Sequence, residues 1–258
     1  MLQIPILAYH GVSNLPDNKY NVQTESFSEQ MEWLNQSGFK TLDQSDLFEF
    51  KGTEYYKSGS YFVLTFDDGH ISNYEFVMPV LEKYGFKAIF FITTGLIEKE
   101  SNFMDWVKVK ELHRKGHSIQ CHGHFHMFLN RLKAENVDFE LQESRKLIKE
   151  HIGVLPDTFS CPGGRYNDSV IKIAKKAGYK RIFTSQPVYY DLQNDLDKYL
   201  IGRWFIDKDT DLARFKKIMA MEKCFLRSNR IKYQAKNILK TLIGDRLYQY
   251  LFRKFKLG

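Results

Sequence analysis

Two adjacent carboxylates, Asp67 and Asp68, close the apolar run Tyr61-Phe62-Val63-Leu64-Thr65-Phe66, and Gly69 follows them. Side chains alternate along a strand, so a straight chain would send the two carboxylates to opposite faces. A bend at the strand end lets both reach one cavity. Like charges so close are costly unless a cation lies between or beside them. The sequence offers ligands for one in Cys121-His122-Gly123-His124-Phe125-His126. His122 and His126 are four apart and would share a face on a helical turn. With Asp68 they make a two-histidine, one-carboxylate set for a divalent ion, which leaves coordination positions open for water and substrate. His124, at the intermediate position, points away. The plain alternative for any one of these histidines is a structural or surface role.

The elements that must carry these residues alternate short apolar runs with amphipathic ones. Strands are expected at Ile4–Tyr9, Tyr61–Phe66, Lys87–Ile92, His117–Cys121, Thr158–Cys161, Arg181–Thr184 and Leu200–Arg203. Helical patterns over Asn73–Tyr84, Asp105–Lys115, Ala134–Ile152 and Asp168–Ala177 each end at a glycine. Ser26-Phe27-Ser28-Glu29 reads as a capping box for a further helix that buries Phe27, Met31 and Leu34. This rhythm predicts a distorted (β/α)7-type barrel of mostly parallel strands. In such folds the chemistry sits at the C-terminal strand ends. His10, Asp67 and Asp68, His122, and Pro162 with Gly163 all fall there.

The 258 residues suffice for one large α/β domain, and no apolar run approaches the roughly 20 residues of a membrane span. Cys121, Cys161 and Cys224 are too few and too far apart for a disulfide framework or a CxxC site. The N-terminus lacks a basic leader and a cleavage site, so a cytoplasmic protein is expected. The net charge of +7 is uneven: Arg214–Gly258 holds 13 Lys/Arg against Glu222 and Asp245, which leaves the first 213 residues at −4. We therefore divide the chain into a catalytic unit, 1–212, and a basic, helical C-terminal extension, 213–258. In the extension Ile231, Ala235, Ile238, Leu242, Leu247 and Leu251 fall near one stripe. That pattern suits contact with an anionic membrane surface or ordinary packing on the barrel. Nucleic acid is not an expected partner, because no recognition motif accompanies the charge.

Taken together, these segments resemble the polysaccharide deacetylase family, the NodB-homology domain of carbohydrate esterases. Its TFDDG motif stands intact at Thr65–Gly69. Its His-[Ser/Thr]-x-x-His motif stands at His122–His126, with Gly123 in place of the hydroxyl residue, and Met127-Phe128-Leu129 follows where Pro-x-Leu is common. Its third motif region corresponds to Phe159-Ser160-Cys161-Pro162-Gly163-Gly164, and Tyr9-His10 is similar to one branch of the family. The resemblance runs from about residue 4 to about residue 205.

The resemblance implies hydrolysis of the acetamide of an N-acetylated sugar by a water that a divalent ion activates. Zn²⁺ is the first choice, with Co²⁺, Ni²⁺ or Mn²⁺ as alternatives. It assigns Asp68, His122 and His126 to the ion and Asp67 to the general base, free of the ion. The Gly163 backbone N–H, beside Pro162, would stabilise the oxyanion. The family's usual late histidine has no counterpart after His151; in a circularly rearranged branch the acid comes from the first strand instead, a position that His10 fits. Ser160 stands where an arginine usually tethers the base, and Arg165 or Arg203 is a substitute. The expected substrate is a glycan or a lipid-linked sugar intermediate, met in the cytoplasm at the inner face of the membrane. Two alternatives remain: a carbohydrate-binding protein with impaired catalysis, motivated by Gly123, Ser160 and Gly163, and a metal-dependent amidase for a non-sugar substrate.

Overall fold

A computed structural model describes residues 2–14, 18–49 and 60–243. Its centre is a nine-stranded sheet in which every pairing is parallel. The path runs Leu200–Ile201, Arg181–Phe183, Thr158–Ser160, Ser118–Cys121, Ala88–Ile92, Ser60–Phe66, Ile6–Tyr9, Trp204–Phe205, with Phe39–Thr41 also on Ser60–Phe66. The two outer strands are consecutive in the chain, separated only by Gly202 and Arg203. The sheet therefore curls round to a seam at that dipeptide, which makes the distorted barrel. The strand expected at Leu200–Arg203 is this split pair. The strand Phe39–Thr41 was not foreseen, because its three residues are too few to show a period.

Alternation along each strand decides what faces the barrel interior. Tyr61, Val63, Ile89, Phe91, Phe183 and Ile201 form the interior cluster, joined by Ile4 and Ile6. Phe62, Leu64, Phe66, Phe90 and Tyr9 point outward into the larger cluster beneath the helices. There Tyr9, Phe66 and Phe90 stack in a row, with centroids 5.4 and 5.1 Å apart.

The helices that cover the sheet follow the amphipathic runs. Ala134–Ile152 forms as expected and buries Val137, Glu140, Leu141, Ser144 and Ile148. Asn73–Tyr84 begins as a π-turn over Asn73–Val77 before the α-helix Met78–Tyr84. The helix Thr24–Gln36 buries Phe27, Met31 and Leu34 as expected, but it starts three residues before the capping-box reading. Ser26 lies inside it, and Gln23 at its N-cap makes no side-chain cap bond. The helix Leu212–Met219 buries Phe215, Ile218 and Met219. Lys223–Ile243 packs Phe225 and Leu226 against the core but leaves Ile231, Ile238 and Leu239 exposed. Leu247 and Leu251 of the expected stripe lie outside the described residues, and no described helix is long and apolar enough to cross a membrane.

Gly202 at the seam has no room for a side chain: a Cβ there would lie 2.2 Å from Val188 Cγ2 and 2.5 Å from the Gln186 carbonyl. Gly202→Ala should cost about 1–3 kcal/mol through overpacking, read as a lower urea midpoint at unchanged slope. An unchanged midpoint would show that the seam yields freely.

Candidate active site

Four strands deliver the site by the same alternation that builds the interior. Asp67 continues the row Tyr61, Val63, Thr65; His122 continues Ser118, Gln120; His10 continues Ile6, Ala8; and Ser160 shares the inward face with Thr158. Asp68 breaks the pattern. Its residue takes φ 75°, a left-handed conformation that a side chain other than glycine seldom adopts, and this turns the second carboxylate back into the cavity.

Asp68 Oδ1 then lies 3.2 Å from His122 Nε2 and 3.3 Å from His126 Nε2. One ligand atom from each of the three residues lies within 4.8 Å of the others. The His122 Nδ1–H donates to the Ser160 carbonyl at 2.9 Å, which leaves Nε2 with a lone pair. His122 Nε2 and Asp68 Oδ1 are buried without a hydrogen-bond partner. Orphaned acceptors that converge on one point fit a divalent cation with open positions. Burial alone would raise the Asp68 carboxyl, but His10, His122 and His126 hold it well below the ordinary range. Burial likewise opposes charge on His126, yet Asp68 beside it raises its pKa.

The histidine pair meets in a way the spacing did not foretell. Residues 122–128 form a loop, not a helical turn. Gly123 at φ 79° and His126 at φ 57° bring the two rings to 5.0 Å. The loop hangs on Glu140, a buried carboxylate that accepts from the backbone N–H of His124 at 2.7 Å and of Phe125 at 2.9 Å. A Cβ at Gly123 would come 2.9 Å from Glu140 Oε2. Glycine at 123 thus makes room for the carboxylate that holds the loop. His124 does point away, with Nδ1 3.0 Å from Thr94 Oγ1, but it is buried rather than exposed.

Asp67 is not a free carboxylate. Arg203 donates to both of its oxygens, Nη1 to Oδ1 at 2.7 Å and Nη2 to Oδ2 at 2.8 Å, and the Ser160 hydroxyl donates to Oδ2 at 3.0 Å. Arg203 also donates to Thr65 Oγ1, Ser160 Oγ and the Thr184 carbonyl, at an exposure of 1%. Ser160 and Arg203 together do what one arginine on the third motif would do. Burial pushes Asp67 upward, but Arg203 outweighs it and brings the carboxyl down to about 2.

The remaining candidates divide. His10 stands at the site, its ring 4.8 Å from Phe205, its Nδ1 buried and unpartnered. Burial favours its neutral form against the raising influence of Asp68 and Asp67. Pro162 packs beside Gly123. Gly163 takes φ 62°, and a side chain there would strike Phe128, whose ring edge fills that space. Arg165 does not join Asp67; its guanidinium lies 4.5 Å over the Phe128 ring. Glu140 escaped notice in the sequence, although a carboxylate on the buried stripe of Ala134–Ile152 is the signal that would have found it.

Residues 55–182 match the family described as polysaccharide deacetylase. The putative polysaccharide deacetylase YxkH of Bacillus subtilis is 32% identical over 185 residues, which cover 72% of this chain and 65% of that protein. The poly-beta-1,6-N-acetyl-D-glucosamine N-deacetylase of Staphylococcus aureus is 28% identical over 229 residues, 78% of each chain. The fold is shared with the Streptococcus pyogenes deacetylase PplD in complex with acetate, at a TM-score of 0.74 and 24% identity over 84% of this chain and 98% of that one. It is shared also with IcaB from Ammonifex degensii, at 0.72 and 22% over 84% and 96%.

The Asp67–Arg203 pair makes folding depend on acid in a defined window. Asp67 titrates near 2 when folded against 3.8 ordinarily, so the unfolded chain takes up its proton first. Stability from this pair is complete above about pH 4 and is lost as pH falls towards 2, by about 2 kcal/mol. Arg203→Met should lower stability by about 3–5 kcal/mol at neutral pH, because it strands a buried charge. The gap from wild type should narrow as pH falls, measured by urea unfolding from pH 7 to pH 3. A gap independent of pH would contradict this account.

Proposed function

We propose that the chain belongs to the polysaccharide deacetylase family and hydrolyses the acetamide of an N-acetylated sugar in a glycan, with Zn²⁺ as its ion. The observation that carries this reading is the convergence of Asp68, His122 and His126 on one point beside a second, independently held carboxylate. An ion held by these three residues would polarise the acetamide carbonyl and acidify a water.

The chain's own residues supply the rest. Asp67 accepts the proton of the attacking water on a carboxylate oxygen. Arg203 and Ser160 fix the direction in which that oxygen points, and they keep it ionised before the reaction. The Gly163 backbone N–H faces the developing oxyanion, a role that needs no side chain. His10, once it has taken up a proton from solvent against the opposition of its burial, returns it to the nitrogen as the C–N bond breaks, and acetate and a free amine leave. Asp67 and His10 follow the register pair Phe66 and Tyr9 on neighbouring strands, so both reach the site from the same wall.

The catalytic unit in this reading spans 1–212, with 213–258 as an extension. Its helix Lys223–Ile243 exposes Ile231, Ile238 and Leu239 beside exposed Arg227, Arg230 and Lys232. That face favours a peripheral contact with an anionic bilayer at the cytoplasmic side, where a lipid-linked glycan would be met.

Asp67→Asn should lower acetate release from N-acetylglucosamine oligomers by roughly 10²–10⁴-fold. His122→Ala should abolish a stoichiometric divalent ion by elemental analysis. Full activity in the first variant, or full metal content in the second, would sink the proposal. The membrane contact predicts co-sedimentation with phosphatidylglycerol vesicles, reversed by salt and reduced in Ile231→Asp/Ile238→Asp. Sedimentation indifferent to both would remove it.

A further inference from the structure

Three large apolar side chains stand exposed around the histidine loop. Phe125 and Met127 flank His126 directly, at 51% and 47% exposure, and Phe139 on the helix Ala134–Ile152 is 50% exposed. The Phe125 and Phe139 rings lie 6.3 Å apart with planes 26° from parallel, so they present nearly aligned faces. Phe125 also meets the His124 ring edge-on at 4.1 Å. Both rings stay half exposed, and Phe125 sits one residue from His126, a candidate ligand to the ion.

The Phe125 backbone is held firmly. Its N–H is bound by Glu140, and the preceding carbonyl of His124 accepts from Gly95 N–H at 2.8 Å. At Gly95 a Cβ would fall 3.0 Å from Phe125 Cδ1 and 2.5 Å from the His124 oxygen, so glycine there admits the loop. A ring on a fixed backbone offers a flat surface at little entropic cost on binding.

We propose that Phe125, backed by Phe139, is a stacking platform for a sugar ring of the glycan, next to the residue whose acetamide enters the site. This rests on the deacetylase reading above. A pyranose has an apolar face of C–H bonds and a rim of hydroxyls. The C–H face suits the negative face of an aromatic ring, and the hydroxyls at its rim stay free to bond water. Two rings fall far short of the roughly 800 Å² per partner of a stable protein interface. Phe125 adjoins His126 in the chain, which puts the platform on the loop that carries a candidate ligand to the ion. Phe125 thereby selects for substrates longer than one sugar.

The test compares β-1,6-linked N-acetylglucosamine pentamer with the monomer. In Phe125→Ala the preference for pentamer in kcat/KM should fall about 3- to 10-fold, through KM rather than kcat. Phe125→Trp should restore it and Phe125→Leu should not, which separates stacking from loop support. Equal preference in wild type and Phe125→Ala, or a loss confined to kcat, overturns the platform. Calorimetry of pentamer binding to Asp67→Asn, with and without Phe125→Ala, keeps the two readings apart. If wild type releases no acetate while Phe125→Ala still weakens pentamer binding, the deacetylase reading fails and the platform stands. If Phe125→Ala leaves pentamer affinity intact but abolishes vesicle binding or self-association, the patch serves another occupant and the platform falls.

Discussion

The buried pair between Arg203 and Asp67 is the constraint on which the site turns. Two carboxylates adjacent in sequence cannot both be charged in one cavity without positive partners. The structure answers each separately. Asp67 takes a guanidinium in a two-point contact, and Asp68 takes two imidazoles in a geometry suited to a cation. The division is enforced by the backbone. Asp67 follows strand alternation into the barrel, while Asp68 needs a left-handed residue to reach the same space. Isolated, Arg203 would be costly to bury, but all of its surroundings accept: Asp67, Thr65, Ser160 and the Thr184 carbonyl.

A carboxylate tied so firmly is a weak proton acceptor, with its carboxyl brought down to about 2. The arrangement favours precision over basicity. The carboxylate is ionised at any physiological pH and points one way. Its proton affinity can rise only as the charge around it changes during the reaction. The candidate ligands show the same preference for fixed geometry: Asp68 and His126 both adopt left-handed backbone conformations, and Glu140 locks the loop between the histidines.

Much of this was legible in the sequence because alternation is a local rule. Once Tyr61, Val63 and Thr65 face inward, Asp67 must; once Ile6 and Ala8 do, His10 must. The helix Ala134–Ile152 was equally plain from its period. What stayed hidden depends on long-range placement. Arg203 meets Asp67 across 136 residues, and no local pattern says which arginine will arrive. Ser160 read as a defect in a motif, and it is the small residue that leaves room for the guanidinium. The convergence of His122 and His126 was right for the wrong reason, since glycine and left-handed turns, not a helix, bring them together. The capping box failed because the helix Thr24–Gln36 had already begun before the serine.

The two outer strands of the sheet are joined by Gly202 and Arg203 alone. From Ile201 to Trp204 the chain can stretch no further than about 10–11 Å. The barrel is in effect tied shut along one side by its own backbone, and the tie is the residue that grips the base. Its edges cannot part widely enough to pass a polymer sideways. The proposed glycan would therefore approach from the rim at the C-terminal strand ends and leave the same way, lying across the mouth rather than running through the wall.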